Sequence, residues 1–214
     1  MPGEEAADVS WRAQKPQAVV DLADAARNCR TAVGARLVEV YAEFMAETDC
    51  AIPAKNGLDL SRLAKSLPDL MLAAVSKPDK WICRLAGERI RQRLGRSPVG
   101  GNYYDIVPAE RRANAMHAMN MVIDVPSGFR AEIEQTHRDG LVRLSEAVAL
   151  PLASDEAGVD GFILFADSHI EDYSRADVEG PYITGANVVR RDLIDLGFGV
   201  DETFEDLVPV SPAA

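Results

Sequence analysis

The sequence predicts an α+β fold: a five-stranded antiparallel sheet with helices on one face, preceded by a long amphipathic helix and followed by an acidic C-terminal extension. Three observations carry this expectation. Apolar side chains recur at helical spacing from Val19 to Phe44. Five strand-length segments follow between 69 and 168, either alternating in polarity or apolar throughout. Turn-forming residues separate most of them: Lys77-Pro78-Asp79-Lys80, Arg138-Asp139-Gly140 and residues 154–158.

Each element has its own justification. Residues 1–18 are small and acidic and carry Pro16, which predicts an unstructured start. Val19, Leu22, Ala26, Cys29, Val33, Leu37, Val40 and Phe44 then form a nearly heptad seam with one irregular step, Val33 to Leu37. Gly34 lies beside that step and weakens a helix by about 1 kcal/mol relative to Ala, so residues 19–50 form one bent helix or two. The stripe either covers the domain that follows or pairs with a second copy. Leu22, Val33, Leu37, Val40 and Phe44 are the candidate dimer contacts.

After Pro53 and Asn56-Gly57, Ser61 is placed to cap a short helix to Leu67. Residues 69–76 and then 81–86 read as two paired strands, with Trp81, Cys83 and Leu85 on one face and Ile82 and Arg84 on the other. Gly87 marks the change to helical spacing (Ile90, Leu94), and Gly95 ends that helix. Pro108 opens a long helix, PAERRANAMHAMNMVID, with Ala109, Ala113, Met116, Asn120 and Ile123 along one side. Three antiparallel strands complete the sheet. In the second, Val142, Leu144, Glu146, Val148, Leu150 and Leu152 share a face; the third, with FILF, is apolar on both faces, as a central strand should be. Asn187 is placed to cap a short helix to Leu196 within the extension 171–214.

Bulk properties limit the function. The 47% hydrophobic fraction among 214 residues supports a packed core. The longest apolar runs, 70–75 and 147–153, are too short to cross a bilayer. The acidic first residues do not read as a secretory signal, and three widely spaced cysteines, Cys29, Cys50 and Cys83, read as reduced thiols, so a cytoplasmic location is expected. A net charge of -11 argues against nucleic-acid binding. The charge is uneven: residues 77–112 hold nine Lys or Arg against four acids, whereas 167–214 hold 11 acids against three Arg. No nucleotide, metalloprotease or hydrolase motif is visible, so no enzyme is expected.

Residues 52–170 resemble the PAS family, in a divergent version found in small bacterial proteins. The resemblance rests on WICRLAGERIRQRLGRSPVGGNYYDIV, with Gly95-Arg96 and Gly100, and on SEAVALPLASDEAGVDGFILF, with Glu146, Leu150-Pro151-Leu152 and Asp160-Gly161. It implies a PAS-like domain over 51–170 and a sensory or regulatory role: a small molecule or partner held between sheet and helices, and a shift passed to flanking helices. The N-terminal helix stands where a signalling or dimerisation helix lies in such proteins. A homodimer that signals through a protein partner is expected, without nucleic acid or membrane.

Candidate ligand residues are Arg84, Met116, His117, Asn120 and Glu146. His117 lies in the helix that supplies the axial ligand of haem-binding PAS domains, which keeps a haem sensor as an alternative; otherwise the cofactor is unknown. A further alternative is an interaction adaptor whose core is filled by its own side chains. Glu146 breaks an apolar strand face, so its carboxylate must find a partner. It is either a pocket acid that binds a ligand or couples to Arg84 on another strand, or a structural salt bridge between strands.

Overall fold

The structure, a computed structural model, describes residues 22–48, 52–105, 107–170 and 183–200. The expectations for residues 1–18, Val19, Cys50 and the tail beyond 200 lie outside these. Six strands form one antiparallel sheet: β1 (Leu70–Ser76), β2 (Lys80–Ala86), β3 (Ser127–His137), β4 (Val142–Leu152), β5 (Gly161–His169) and β6 (Ile183–Asp195). Their order across the sheet is β2-β1-β5-β4-β3-β6. The apolar segment FILF lies in β5, central between β1 and β4 and buried on both faces.

The sixth strand corrects the expected helix at Asn187. Ile183, Thr184, Val188 and Val189 are β-branched and favour extended backbone. The segment pairs with β3 from Ser127↔Asp195 to His137↔Ile183, and that pairing outweighs the local capping signal.

The domain's own helices lie on one face of the sheet, as expected, and the N-terminal helices cover the other. On the inner face lie α3 (Glu88–Leu94) and α4 (Ala109–Asp124); a Cβ on Gly161 would meet Ile123 Cδ1 of α4 at 2.8 Å. Gly95 ends α3 in the left-handed region at φ 67, as its position in the sequence suggests. The buried side of α4 is Ala118, Met119, Met121, Val122 and Ile123, whereas Ala109 and Ala113 are exposed. The first half of α4 has too few large apolar residues to fix the stripe that the sequence suggested. Ser61 caps no helix: Asp59 accepts from Ser61 N–H at 3.0 Å and caps a 3₁₀ turn, Leu60–Leu63.

On the outer face lie α1 (Leu22–Asn28) and α2 (Ala32–Glu47). The seam is therefore two helices, and it packs on the chain's own sheet. Leu22, Leu37, Val40 and Phe44 are at most 4% exposed, and Val33 is half-buried. Tyr41 is buried beside them and donates its hydroxyl to Pro151 O at 2.8 Å. Opposite α2 stands the even-numbered face of β4, since a Cβ on Gly34 would lie 3.1 Å from Val148 Cγ2.

Along β2 the register slips between Leu72 and Ala73, which leaves Arg84 as the bulged residue. Trp81 and Cys83 stay buried, and the bulge turns Leu85 to the face opposite Cys83, contrary to simple alternation. Among the described residues no helix is long and apolar enough to cross a membrane.

Because Leu37 is fully buried between α2 and the sheet, Leu37→Ala should destabilise the protein by about 2–5 kcal/mol. Thermal unfolding should show the loss, while light scattering should give the mass of the parent protein. A change of mass without loss of stability would return the seam to an intermolecular role.

Candidate functional site

The outer face is organised around Glu146. Its side chain is buried in the middle of β4. It accepts from Arg30 N–H at 2.7 Å, Thr31 N–H at 2.9 Å and the Thr31 hydroxyl at 2.6 Å, and Arg130 stands 3.4 Å away. Thr31 is also the N-cap of α2, accepting from Gly34 N–H at 3.0 Å. The carboxylate thus binds the positive end of a 16-residue helix. Bonds to Glu146 hold the backbone at residues 30 and 31, and there α1 gives way to α2. The break comes from this contact and not from Gly34. Gly34 serves a different end: a Cβ there would lie 2.6 Å from Glu146 Oε2. Arg130 also pairs with Asp192 on β6 and lies 3.7 Å from Glu132, so β3, β4 and β6 meet the helix junction at one cluster. Burial, and secondly the charge of Glu146, pushes the Cys29 thiol up to about 12, which keeps it protonated and unreactive.

The inner face carries a polar band beneath α3. Arg93 reaches from α3 to Asp69 at 3.5 Å and to Asp167 on β5 at 3.8 Å, and also donates to Asp167 O. Asp69, almost fully buried, is held as well by Arg89 at 2.7 Å. Gln135 on β3 donates from Nε2 to both Asp167 oxygens, at 3.2 and 2.9 Å. Arg143, buried on β4, is the register partner of Gln135. His137 and His169 bring their ring centroids within 5.9 Å of each other. An aromatic group continues the band: Tyr103 packs edge-on against Trp81 at 4.2 Å, and Trp81 against Phe165 at 5.8 Å. Burial, followed by the charge of Asp167, pushes the Tyr103 hydroxyl up to about 12. Arg93 Nε and Gln135 Oε1 are, with Trp81 Nε1 and Ser127 Oγ, among the buried side-chain atoms that have no hydrogen-bond partner among the described residues.

The residues singled out from sequence do not come together. Arg84 is half-exposed on its bulge, 3.6 Å from Glu156, and so is not the partner of Glu146; that partner is Arg130. His117 is exposed on α4, away from the buried side that faces the sheet, so this geometry offers it no interior axial position. Met116 is half-buried against the core, and Asn120 donates to Pro78 O at 3.0 Å, tying α4 to the β1–β2 hairpin. The band residues Asp69, Arg93, Gln135, His137, Arg143, Asp167 and His169 were missed. The one available signal was polar side chains in register on the core-facing side of β3 and β4, and it needs the pairing of the strands to be read.

No family model matches the chain, and no curated protein matches it. Among solved structures it is similar to the PAS-B domain of Cycle from Drosophila melanogaster with bound glycerol (17% identity, 46% of this chain, 98% of that one, TM-score 0.34). It is also similar to a fungal LOV domain photoreceptor (18% identity, 65% and 94%, TM-score 0.38) and to VqmA of Vibrio cholera in a ligand–DNA complex (16% identity, 57% and 56%, TM-score 0.39). The chain spans about half the length of VqmA. Its own element order is two strands, short helices, a long helix and three antiparallel strands. That is the order expected from the sequence, with β6 added at the edge of the sheet beside β3.

Two outcomes follow. Gly34→Ala should lower thermal stability although Ala is the better helix former by about 1 kcal/mol, because the new methyl group meets the clasped carboxylate; a gain in melting temperature would contradict the contact. Burial, then the Arg93 charge, holds the His169 imidazole down to about 4, against an ordinary 6.5, with Asp167 opposing. The folded state therefore disfavours the protonated ring. This contribution to stability is complete above pH 6.5 and is lost as the pH falls towards 4. Unfolding measured across that window should show a smaller loss for His169→Gln than for the parent.

Proposed function

We propose that the chain is a non-enzymatic sensory or regulatory protein of PAS type, which takes a small polar molecule on the inner face of its sheet and signals through protein contacts. The observation that carries this reading is the charged band on the core-facing side of the sheet under α3, where Arg93 spans Asp69 and Asp167 and Gln135 donates to Asp167. Support for a relay comes from register. Asp167 faces the band, its neighbour Ser168 is the cross-strand partner of Glu146, and Glu146 holds the junction of α1 and α2. A displacement of β5 at Asp167 would reach the outer helices through one peptide unit and one strand pair. A half-buried Cys29 thiol kept protonated and a half-buried His169 kept neutral fit a protein that binds without turnover. The free thiols Cys29 and Cys83 suit a reducing compartment, and we place the protein in the cytoplasm. Self-association through the helix seam is not part of the proposal, since those residues are committed to the sheet.

A second reading is an adaptor that binds only a protein. It is favoured by the tight aromatic packing of Trp81, Tyr103 and Phe165 beside the band. Thermal shift against a panel of polar metabolites, with native mass spectrometry of freshly purified protein, separates the two. A ligand at 100 times its Kd adds about 2.7 kcal/mol to stability, so a sensor should show a clear rise in melting temperature with at least one compound. No rise with any compound and no retained mass would leave the adaptor.

A further inference from the structure

We infer a separate ligand site on the outer face, for a small organic acid with an apolar chain. It does not depend on the inner band. A groove of about 510 Å³ opens between α1 and the edge of the sheet at β3 and β6. Its charges come from Arg30 at the α1–α2 junction, Arg130 and Glu132 on β3, and Arg190 and Asp192 on β6. Strand pairing brings the sheet residues together: Arg130 lies opposite Asp192, and Glu132 opposite Arg190. Arg30 joins them by its ion pair with Glu132 at 3.2 Å. Three arginines against two acids leave this groove with an excess of positive charge, in a chain whose net charge is -11.

The hydrogen-bonding capacity left in the groove is one-sided. Both Glu132 oxygens already face a guanidinium, Oε2 that of Arg30 and Oε1 that of Arg130 at 3.7 Å. Both Asp192 oxygens do so too, Oδ2 that of Arg130 and Oδ1 that of Arg190 at 3.1 Å. Arg130 is buried and shared among Glu132, Glu146 and Asp192. Arg30 and Arg190 are exposed and less committed. The Arg30 guanidinium meets one acid through Nη1, and that of Arg190 turns Nε and Nη2 to a single oxygen of Asp192. A guanidinium carries five N–H donors and no acceptor, so the groove has donors on cations to offer. The matching group is an anionic acceptor, and a carboxylate suits the planar fork. Ala25, Leu193 and Ile194 also line the groove and give the rest of the ligand an apolar surface. Because the Arg30 N–H is held by Glu146 at 2.7 Å, an acid bound by Arg30 and Arg190 ties the helix junction to the outermost strand.

The test titrates the full chain with hexanoate, hexanamide and acetate by calorimetry, and maps hexanoate by hydrogen–deuterium exchange. Hexanoate is expected to bind about tenfold more tightly than hexanamide, which lacks the charge, and than acetate, which lacks the chain. It should slow exchange in α1 and in residues 190–194. Arg30→Gln and Arg190→Gln each remove one donor set, while Glu132 and Asp192 keep Arg130. Each variant should melt close to the parent without ligand and bind hexanoate about tenfold more weakly. Equal binding of hexanoate and hexanamide, no binding of hexanoate, or an unchanged affinity in either variant would overturn the site. Protection of β1, β5 and α4 in place of α1 and 190–194 would overturn it as well and move the acid to the inner face.

Discussion

A carboxylate buried in the middle of a sheet must be matched or the fold loses several kcal/mol. Glu146 is that constraint here, and much of the outer architecture follows from how it is met. Its oxygens are bound by two backbone N–H groups and a hydroxyl at the start of α2, with Arg130 beside them. The same bonds stop α1, start α2, require glycine at 34 and place the apolar seam of both helices on β4 and β5. A substitution that removed only the charge would leave Arg130 with Asp192 and Glu132, so the cluster is shared among strands and does not depend on one pair.

The two faces of the sheet differ in what they hold. Outside, α1 and α2 bury an apolar stripe with one charged cluster at its end. Inside, aromatic packing around Trp81 gives way to a band of arginines, histidines and aspartates beneath α3. Alternation along β4 and β5 links the faces directly: Ser145 and Asp167 point in, and their neighbours Glu146 and Ser168 pair on the other side. In such a sheet a change of polarity or position on one face is felt one residue away on the other. The proposed sensory role relies on this short path.

Much of the fold was legible because its signals are local. Asp139-Gly140 marks the β3–β4 turn, where Leu141 N–H bonds to Asp139 Oδ1; FILF marks the central strand; Gly95 marks the end of α3. What was missed depends on distant partners. Asn187 looks like a cap until β3 offers its edge to Val188 and its neighbours. The seam at Leu37 and Val40 reads equally as a dimer stripe until the even-numbered face of β4 is seen opposite it. Glu146 was correctly marked as anomalous, but its partners lie 115 and 116 residues away at Thr31 and Arg30, beyond any spacing rule. The inner band was invisible for the same reason, since Asp69, Arg93, Gln135 and Asp167 come from four separate elements.

The central claim, that Glu146 holds the N-terminal helices on the outer face, is tested most directly by hydrogen–deuterium exchange on Glu146→Gln. Amides of α1, of residues 30–34 and of the first turns of α2 should exchange faster than in the parent, while β1 and β2, two and three strands away from Glu146 in the sheet, should be unchanged. Equal protection of α1 and α2 in both proteins would show that the helices dock without this carboxylate, and the account built on it would be wrong.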